Sequence, residues 1–271
     1  MGNIRNAVII NDAIRELGNL NRIRGTINLD PLPGPDLDNL PDVTAPTPEE
    51  IAQAVLAAKG DPGASSKVQA LHTRAWLAST GALDALIADA WGQALATAKA
   101  TIPATLDDVR TQYREHGKIL MDAAQGRWKG VEKIAQIATD PAARPLVDAE
   151  RQATVLHTAW RHLSVASGQS VGRATWAEYG TASVDHIWYA LNSRPQKFPN
   201  TDVWSVARAG FTLDLPENLN AAAARRRDLI AAANAKDDDI RTLKMKGEHR
   251  AAQRLASISS EQHDVPDAML S

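Results

Sequence analysis

Histidine is the residue type in this chain best suited to metal or acid–base chemistry, and the chain has seven. Two ligands on one helix must lie three or four residues apart to face the same ion. His157 and His162 are five residues apart, and Glu178 lies eight residues before His186. We therefore interpret the histidines as core-edge residues with hydrogen-bond partners, and we predict no metal site and no cofactor.

Residues 60–67, GDPGASSK, have the composition of a phosphate-binding loop but not its pattern. The glycine that should precede the lysine is missing, no strand comes before the segment, and Pro62 removes a backbone amide donor. Three aspartates at 36, 38 and 42 could attract a cation, but the glycine and terminal glutamate of a calcium loop are absent. We expect neither nucleotide nor calcium binding at these segments.

Nucleophilic catalysis also lacks a recognisable structural context in this sequence. The chain has no cysteine, which excludes thiol nucleophiles, thiolate metal sites and disulfides. Residues 168–172, GQSVG, match the letters of the G-x-S-x-G motif, but no alternation of strands and helices is predicted around them to hold such a serine. Because a catalytic triad is assembled by the fold, an all-α enzyme with an unrecognised site stays open as one alternative.

Basic residues near the C-terminus offer a second alternative, the recognition of phosphates in nucleic acid. Residues 218–258 contain nine basic and five acidic side chains, and a positively charged helix can follow a phosphate backbone. The candidate contacts are Arg225, Arg226, Arg227, Lys244, Lys246 and Arg250. Three consecutive aspartates at 237–239 would repel phosphates, and the segment has no aromatic residue for base stacking. A solvated face with internal ion pairs is the simpler interpretation.

The composition is that of a folded helical protein without a membrane segment. Apolar residues make up 44% and charged residues 23% of the 271 residues, as in globular proteins. Alanine is abundant and favours helices because it loses no side-chain entropy in them. The net charge of −2 gives no overall attraction to nucleic acid or anionic lipid. No apolar run approaches the roughly 20 residues that a membrane helix requires.

Residues 1–27 are predicted to form an amphipathic helix that binds a partner. Its apolar stripe, the candidate binding surface, contains Ile4, Val8, Ile14 and Leu17. Six prolines and four aspartates follow within residues 28–48, too many prolines for a helix or a central strand. We interpret this stretch as an extended acidic linker that holds the helix at a distance from the body.

The body begins after a clear helix start, because Thr47, Pro48 and Glu50 have the pattern of a capping box. The predicted helices that follow span residues 65–100 with a break near 80–81, 105 to about 139, 146–167, 173–192, 201–209 and 218–258. The last is interpreted as an amphipathic arm or a weak coiled coil. Residues 211–215 alternate apolar and polar side chains and resemble a strand, but one strand cannot build a sheet.

Seven tryptophans are expected to anchor a core that is otherwise rich in small alanine side chains. The sequences LHTRAW at 71–76 and LHTAW at 156–160 are similar, and each precedes a second tryptophan, Trp91 or Trp176. The similarity indicates either a duplicated helical hairpin or a chance match between alanine-rich helices.

These patterns predict an all-α protein, a bundle of about six helices with a tethered N-terminal helix and a long C-terminal amphipathic helix. The predicted boundaries are an N-terminal helix 1–27, a linker 28–48, a helical body 49–210, a C-terminal arm 211–259 and a disordered tail 260–271. We expect a non-enzymatic structural or assembly protein that binds protein partners or itself through its terminal helices. The arginine, alanine and aspartate bias indicates a high-GC bacterium or phage, so we expect a cytoplasmic location or a phage particle.

Overall fold

The structure is a computed structural model that describes residues 2–38, 45–59, 65–193 and 198–257. Helices account for 74% of it and strands for 2%, which confirms the predicted all-α class. The predicted tail at 260–271 lies outside the described residues, as does part of the predicted linker, residues 39–44.

The helices are α1 Gly2–Thr26, α2 Pro48–Ala58, α3 Ser65–Thr80, α4 Ala82–Ala100, α5 Ile102–Gln125, α6 Arg144–Ala166, α7 Trp176–Tyr179, α8 Val184–Asn192, α9 Val203–Arg208, α10 Leu219–Met245 and α11 His249–Ser257. Two short strands are β1 Gly180–Thr181 and β2 Thr212–Leu213. The chain separates into unit 1, residues 1–25 and 30–101, and unit 2, residues 26–29 and 102–271. The main division falls between α4 and α5 and so differs from the predicted boundaries. The single bundle of about six helices stays a prediction.

Unit 1 contains the helix start and the helix break that the sequence predicts. The Thr47 hydroxyl accepts a hydrogen bond from the Glu50 amide, and the Glu50 carboxylate accepts one from the Thr47 amide. This capping box satisfies amides that have no partner within α2. Gly81 separates α3 from α4 with a φ of 68°, a left-handed conformation that glycine adopts without steric cost.

The segment after α1 folds back on it over the part that the structure describes. The Asn21 side chain donates to the Leu32 carbonyl at 3.2 Å and accepts from the Leu32 amide at 2.7 Å. Arg24 donates to the Asp30 carbonyl at 2.7 Å. Because the proline-rich backbone cannot pair with itself, these side chains satisfy its polar groups. Residues 30–32 are therefore packed on α1 and do not form a free tether.

The core of unit 2 is built around α5 and α6, which pack against each other. Their fully buried residues recur every three or four positions, as expected for helices with one apolar face; they include Val109, Tyr113, Leu120, Leu156, Trp160 and Leu163. Gly117 lies on the same face of α5, where a Cβ would come within 2.8 Å of Leu213 Cβ. The absence of a side chain at Gly117 allows β2 to approach α5.

Strand β2 forms within the predicted strand-like segment, and it pairs with a strand that the sequence analysis missed. β1 runs antiparallel to it, with Gly180 opposite Leu213. A continuous helix was predicted over residues 173–192, but the chain leaves helix α7 at Gly180, and Ser183 then caps α8. A Cβ at Gly180 would lie 2.5 Å from the backbone of β2. The predicted helix is therefore replaced by α7, β1 and α8.

Two further predicted helices end earlier than predicted, each close to a glycine. α5 ends at Gln125 instead of near residue 139, and Gly126 follows at once. Two 3₁₀ turns then lead to α6. Gly247, with a φ of 76°, divides residues 218–258 into α10 and α11, which pack against each other.

The tryptophans differ widely in exposure. Trp160, Trp176 and Trp204 are buried in unit 2, as expected for core anchors. Trp76 in unit 1 exposes 62% of its surface, so it does not anchor a core. The matched tryptophans of the possible duplication, Trp76 and Trp160, therefore have opposite environments.

Candidate functional site

Three of the four candidate residues on α1 are exposed. Ile4, Val8 and Ile14 expose 76%, 54% and 45% of their surface. Leu17 exposes only 5% and shares the buried side of α1 with Leu20, as the turn of 3.6 residues places them. Leu17 is a core residue of unit 1, which corrects its prediction as a partner contact.

Helix α2, which was predicted to belong to the helical body, carries further exposed apolar side chains. Of its eleven residues only Ala54 is buried, whereas Ile51, Val55 and Leu56 are exposed, Leu56 by 67%. Their spacing predicted one apolar face, but it did not show that this face lacks a covering element. Together with Trp76 of α3 and the α1 residues they form what we call the exposed apolar set: Ile4, Val8, Ile14, Ile51, Val55, Leu56 and Trp76.

The core of unit 1 is correspondingly small. The buried apolar residues of its described part are Leu17, Leu20, Ile23 and the alanines Ala13, Ala54, Ala88 and Ala98. Alanine gains little from burial, because the hydrophobic free energy is about 25 cal/mol per Å² of apolar surface. Unit 2, by contrast, buries large aromatic side chains such as Trp160 and Phe211. Unit 1 therefore exposes more large apolar side chains than it buries.

Among the candidate basic residues near the C-terminus, Arg225 belongs to the fold of unit 2. It donates to the Asp214 carbonyl at 2.7 Å and to Asp214 Oδ2 at 3.0 Å. Arg114 of α5 donates to Asp214 Oδ1 at 2.7 Å. Arg225 thus links α10 to the segment after β2. The prediction that Arg225 contacts a partner is therefore corrected.

The remaining basic candidates, all exposed, are Arg226, Arg227, Lys244, Lys246 and Arg250. Acidic residues lie among them on α10. Arg227 lies 3.5 Å from Asp228, and Arg241 lies 2.7 Å from Asp237. Alternating charges of this kind favour a solvated helix over a continuous surface for phosphates.

A buried polar cluster joins α6 to α7 in unit 2. Glu178 Oε2 accepts a hydrogen bond from Arg161 Nη1 at 2.7 Å and lies 3.6 Å from His157 Nε2. Glu178 Oε1 accepts from the Thr175 amide at 3.2 Å. The His157 ring stacks on Tyr179 with a centroid distance of 3.9 Å. No local pattern predicts this cluster, because its carboxylate lies 21 residues beyond the histidine.

The surroundings of the cluster identify it as structural. Burial lowers the pKa of His157, although the Glu178 carboxylate acts in the opposite direction. Burial also raises the pKa of Tyr113, whose hydroxyl donates to the Tyr179 carbonyl at 3.0 Å. His157 and Glu178 each expose only 5% of their surface, so a substrate has no access to them. The cluster does not support the enzyme alternative.

An open cleft of about 840 Å³, the unit 2 cleft, lies between the first 3₁₀ turn, α6 and α9. Glu150 and Asp202 both line it. Partial burial and the charge of Asp202 raise the pKa of Glu150. Asp202 is held in place by Ser205, whose amide and hydroxyl donate to its two oxygens at 2.8 and 2.7 Å. No sequence pattern indicates Glu150 and Asp202 as a site, because they come together only through the packing of α6 and α9.

Within the described residues, no group of three or more His, Asp or Glu side chains is placed to hold a metal ion. Over the same part of the chain, no helix is both long and apolar enough to cross a membrane. Neither a known protein family, nor a curated protein, nor a solved structure matches this chain. The exposed apolar set and the unit 2 cleft are therefore the two features that support functional proposals.

Proposed function

We propose that the chain is a helical structural or assembly protein, and that unit 1 binds a second copy of the chain through the exposed apolar set. The observation that supports this most is that unit 1 exposes more large apolar side chains than it buries. Apolar surface in contact with water is unfavourable, and an interface removes it from water.

Charges near the exposed apolar set favour a second copy as the partner. Arg15 lies 2.8 Å from Asp12 on α1, and Arg74 of α3 lies 3.1 Å from Glu50 of α2. Both pairs are formed within unit 1, so these four charges offset each other beside the apolar side chains. A two-fold contact places the same surface on both sides, so charges that are already paired within each copy reduce the repulsion between like charges across it.

The proposal assigns association to the N-terminal unit and not to both terminal helices. α11 packs on α10 and buries Ala252, so it already has a partner within unit 2. Membership of a larger particle, in the cytoplasm or in a phage, stays a prediction from composition and layout.

Sedimentation velocity of the full chain tests the proposal. We expect the wild type to sediment as a dimer or larger species, and the double variant Leu56→Lys, Trp76→Lys to sediment as a monomer of 29.2 kDa. Because both side chains are exposed, the circular dichroism of the variant should match that of the wild type.

Met245→Lys is the matched control, because Met245 lies in unit 2 and exposes 80% of its surface. It should leave the association unchanged. If the Met245→Lys variant dissociated to the same extent as the double variant, the association would depend on non-specific hydrophobic contact. A wild-type monomer at every concentration would contradict self-association, and capture of a different protein by a surface that includes Leu56 would replace the second copy with that protein.

A further inference from the structure

The unit 2 cleft has the volume of a small-molecule site, and its lining is partly apolar. Its volume of about 840 Å³ falls within the roughly 300–1,000 Å³ that is typical of such sites. Its apolar wall is formed by Ile134, Val147, Phe198, Pro199 and Trp204.

The two aromatic side chains of this wall are held in place before any ligand arrives. Trp204 Nε1 donates to the Val131 carbonyl at 3.1 Å. The Phe198 ring lies parallel to that of Trp176, with a centroid distance of 5.9 Å and an interplanar angle of 4°. A ligand that contacts Trp204 and Phe198 therefore need not order them, which lowers the entropic cost of binding.

The charged lining favours a positive ligand. Glu132, Glu150 and Asp202 contribute three acidic side chains, and Lys133 and Arg208 contribute two basic ones. Arg208 Nη1 already donates to the Glu132 carbonyl at 3.0 Å. Partial burial and, to a smaller extent, repulsion by the charge of Asp202 raise the pKa of Glu150, and both carboxylates line the cleft. A positive group beside them would offset that repulsion.

We propose that the unit 2 cleft binds a small organic cation, a primary amine on an apolar or aromatic group, with the ammonium beside Glu150 and Asp202 and the apolar group against Trp204 and Phe198. The ammonium supplies the donors that ionised carboxylates accept in short, charge-assisted hydrogen bonds. This site is separate from the exposed apolar set and does not depend on self-association.

Isothermal titration calorimetry on the full chain tests the proposal, with phenethylamine as the probe and phenethyl alcohol as its neutral isostere. We expect saturable binding of the amine at one site per chain and binding of the alcohol at least about tenfold weaker, a difference of about 1.4 kcal/mol. Glu150→Gln should weaken the binding of the amine by a similar factor. Val147→Phe should weaken the binding of both probes, because the phenylalanine side chain is larger than that of valine and fills part of the cleft.

Asp148→Asn is the matched control. Asp148 lies on the same helix as Glu150 but its side chain is 54% exposed and pairs with Arg151 at 3.3 Å, so amine binding should be unchanged. Thermal unfolding of each variant reports whether it is folded. The proposal is overturned if the amine shows no saturable binding, if the alcohol binds equally well, or if amine binding survives both Glu150→Gln and Val147→Phe in folded protein.

Discussion

Ala54 and Leu56 lie two residues apart on α2 and have opposite environments, with 3% and 67% of their surfaces exposed. The small side chain is buried and the large one is in water, the reverse of what burial of apolar surface favours within one chain. The difference is explained if α2 uses Ala54 to pack inside unit 1 and Leu56 to contact another protein. The effect of each α2 side chain on the free energy of unfolding can be measured separately from its effect on association.

Leu56→Lys should change the free energy of unfolding of the monomer by no more than about 0.5 kcal/mol, as for exposed sites in general. Leu20→Ala should cost about 2–5 kcal/mol, because Leu20 is 3% exposed and its loss leaves a cavity. Urea unfolding at low protein concentration compares the two variants. A loss for Leu56→Lys as large as that for Leu20→Ala would show that Leu56 supports the fold of unit 1 itself.

Gly117→Ala should destabilise unit 2 by about 1–3 kcal/mol, because the new Cβ would come within 2.8 Å of Leu213 Cβ and force β2 away from α5. Gly92→Ala is the matched control on α4, where a Cβ would meet nothing within 4 Å. The control should stabilise the protein by up to about 1 kcal/mol, since alanine favours a helix over glycine. Denaturant unfolding of both variants tests the pair, and equal effects would contradict the close approach of β2.

Glu178→Gln should cost about 3 kcal/mol, because it leaves the Arg161 guanidinium in a largely buried site without its carboxylate partner. Asp148→Asn removes a carboxylate from an exposed pair with Arg151 and should cost less than about 1 kcal/mol. Chemical denaturation at neutral pH measures both changes. Similar small losses for the two variants would show that Glu178 contributes little to the fold.

His157 should make the protein less stable in mild acid. Its pKa in the folded state is lowered from 6.5 by burial, so the unfolded chain takes up a proton more readily than the folded chain. The contribution of neutral His157 is complete above pH 6.5 and is lost as the pH falls through the lowered pKa. The Glu178 carboxylate opposes this shift and the Arg161 charge adds to it.

His157→Gln should flatten the pH dependence of thermal unfolding below pH 6.5, because glutamine does not titrate. The wild type should lose more stability than the variant between pH 7.5 and pH 5. Parallel curves for the two proteins, or a wild type that gains stability in acid relative to the variant, would contradict the lowered pKa.

Local features of the fold were predictable from the sequence because their causes lie within a few residues. The capping box at Thr47 and Glu50 depends on residues three apart, and the break at Gly81 depends on one residue. The pairing of β1 with β2 was not predictable in the same way. It joins Gly180 to Leu213; residues 211–215 alternate apolar and polar side chains, but the segment at Gly180 carries no such pattern.

The candidate surface was predictable only in part, because a pattern identifies an apolar face without identifying what covers it. Ile4 and Leu17 belong to one predicted stripe on α1, yet Leu17 lies in the core and Ile4 is in solvent. Trp76 was expected in a core by its residue type, and it is exposed. The carboxylates of Glu150 and Asp202 are 52 residues apart and meet only through tertiary packing.

The mass of the full wild-type chain in solution, measured by multi-angle light scattering over increasing protein concentration, tests the central claim most directly. Self-association through the exposed apolar set predicts a mass that rises to twice the 29.2 kDa of the chain or to a higher multiple. A mass that stays at 29.2 kDa at every concentration would contradict it.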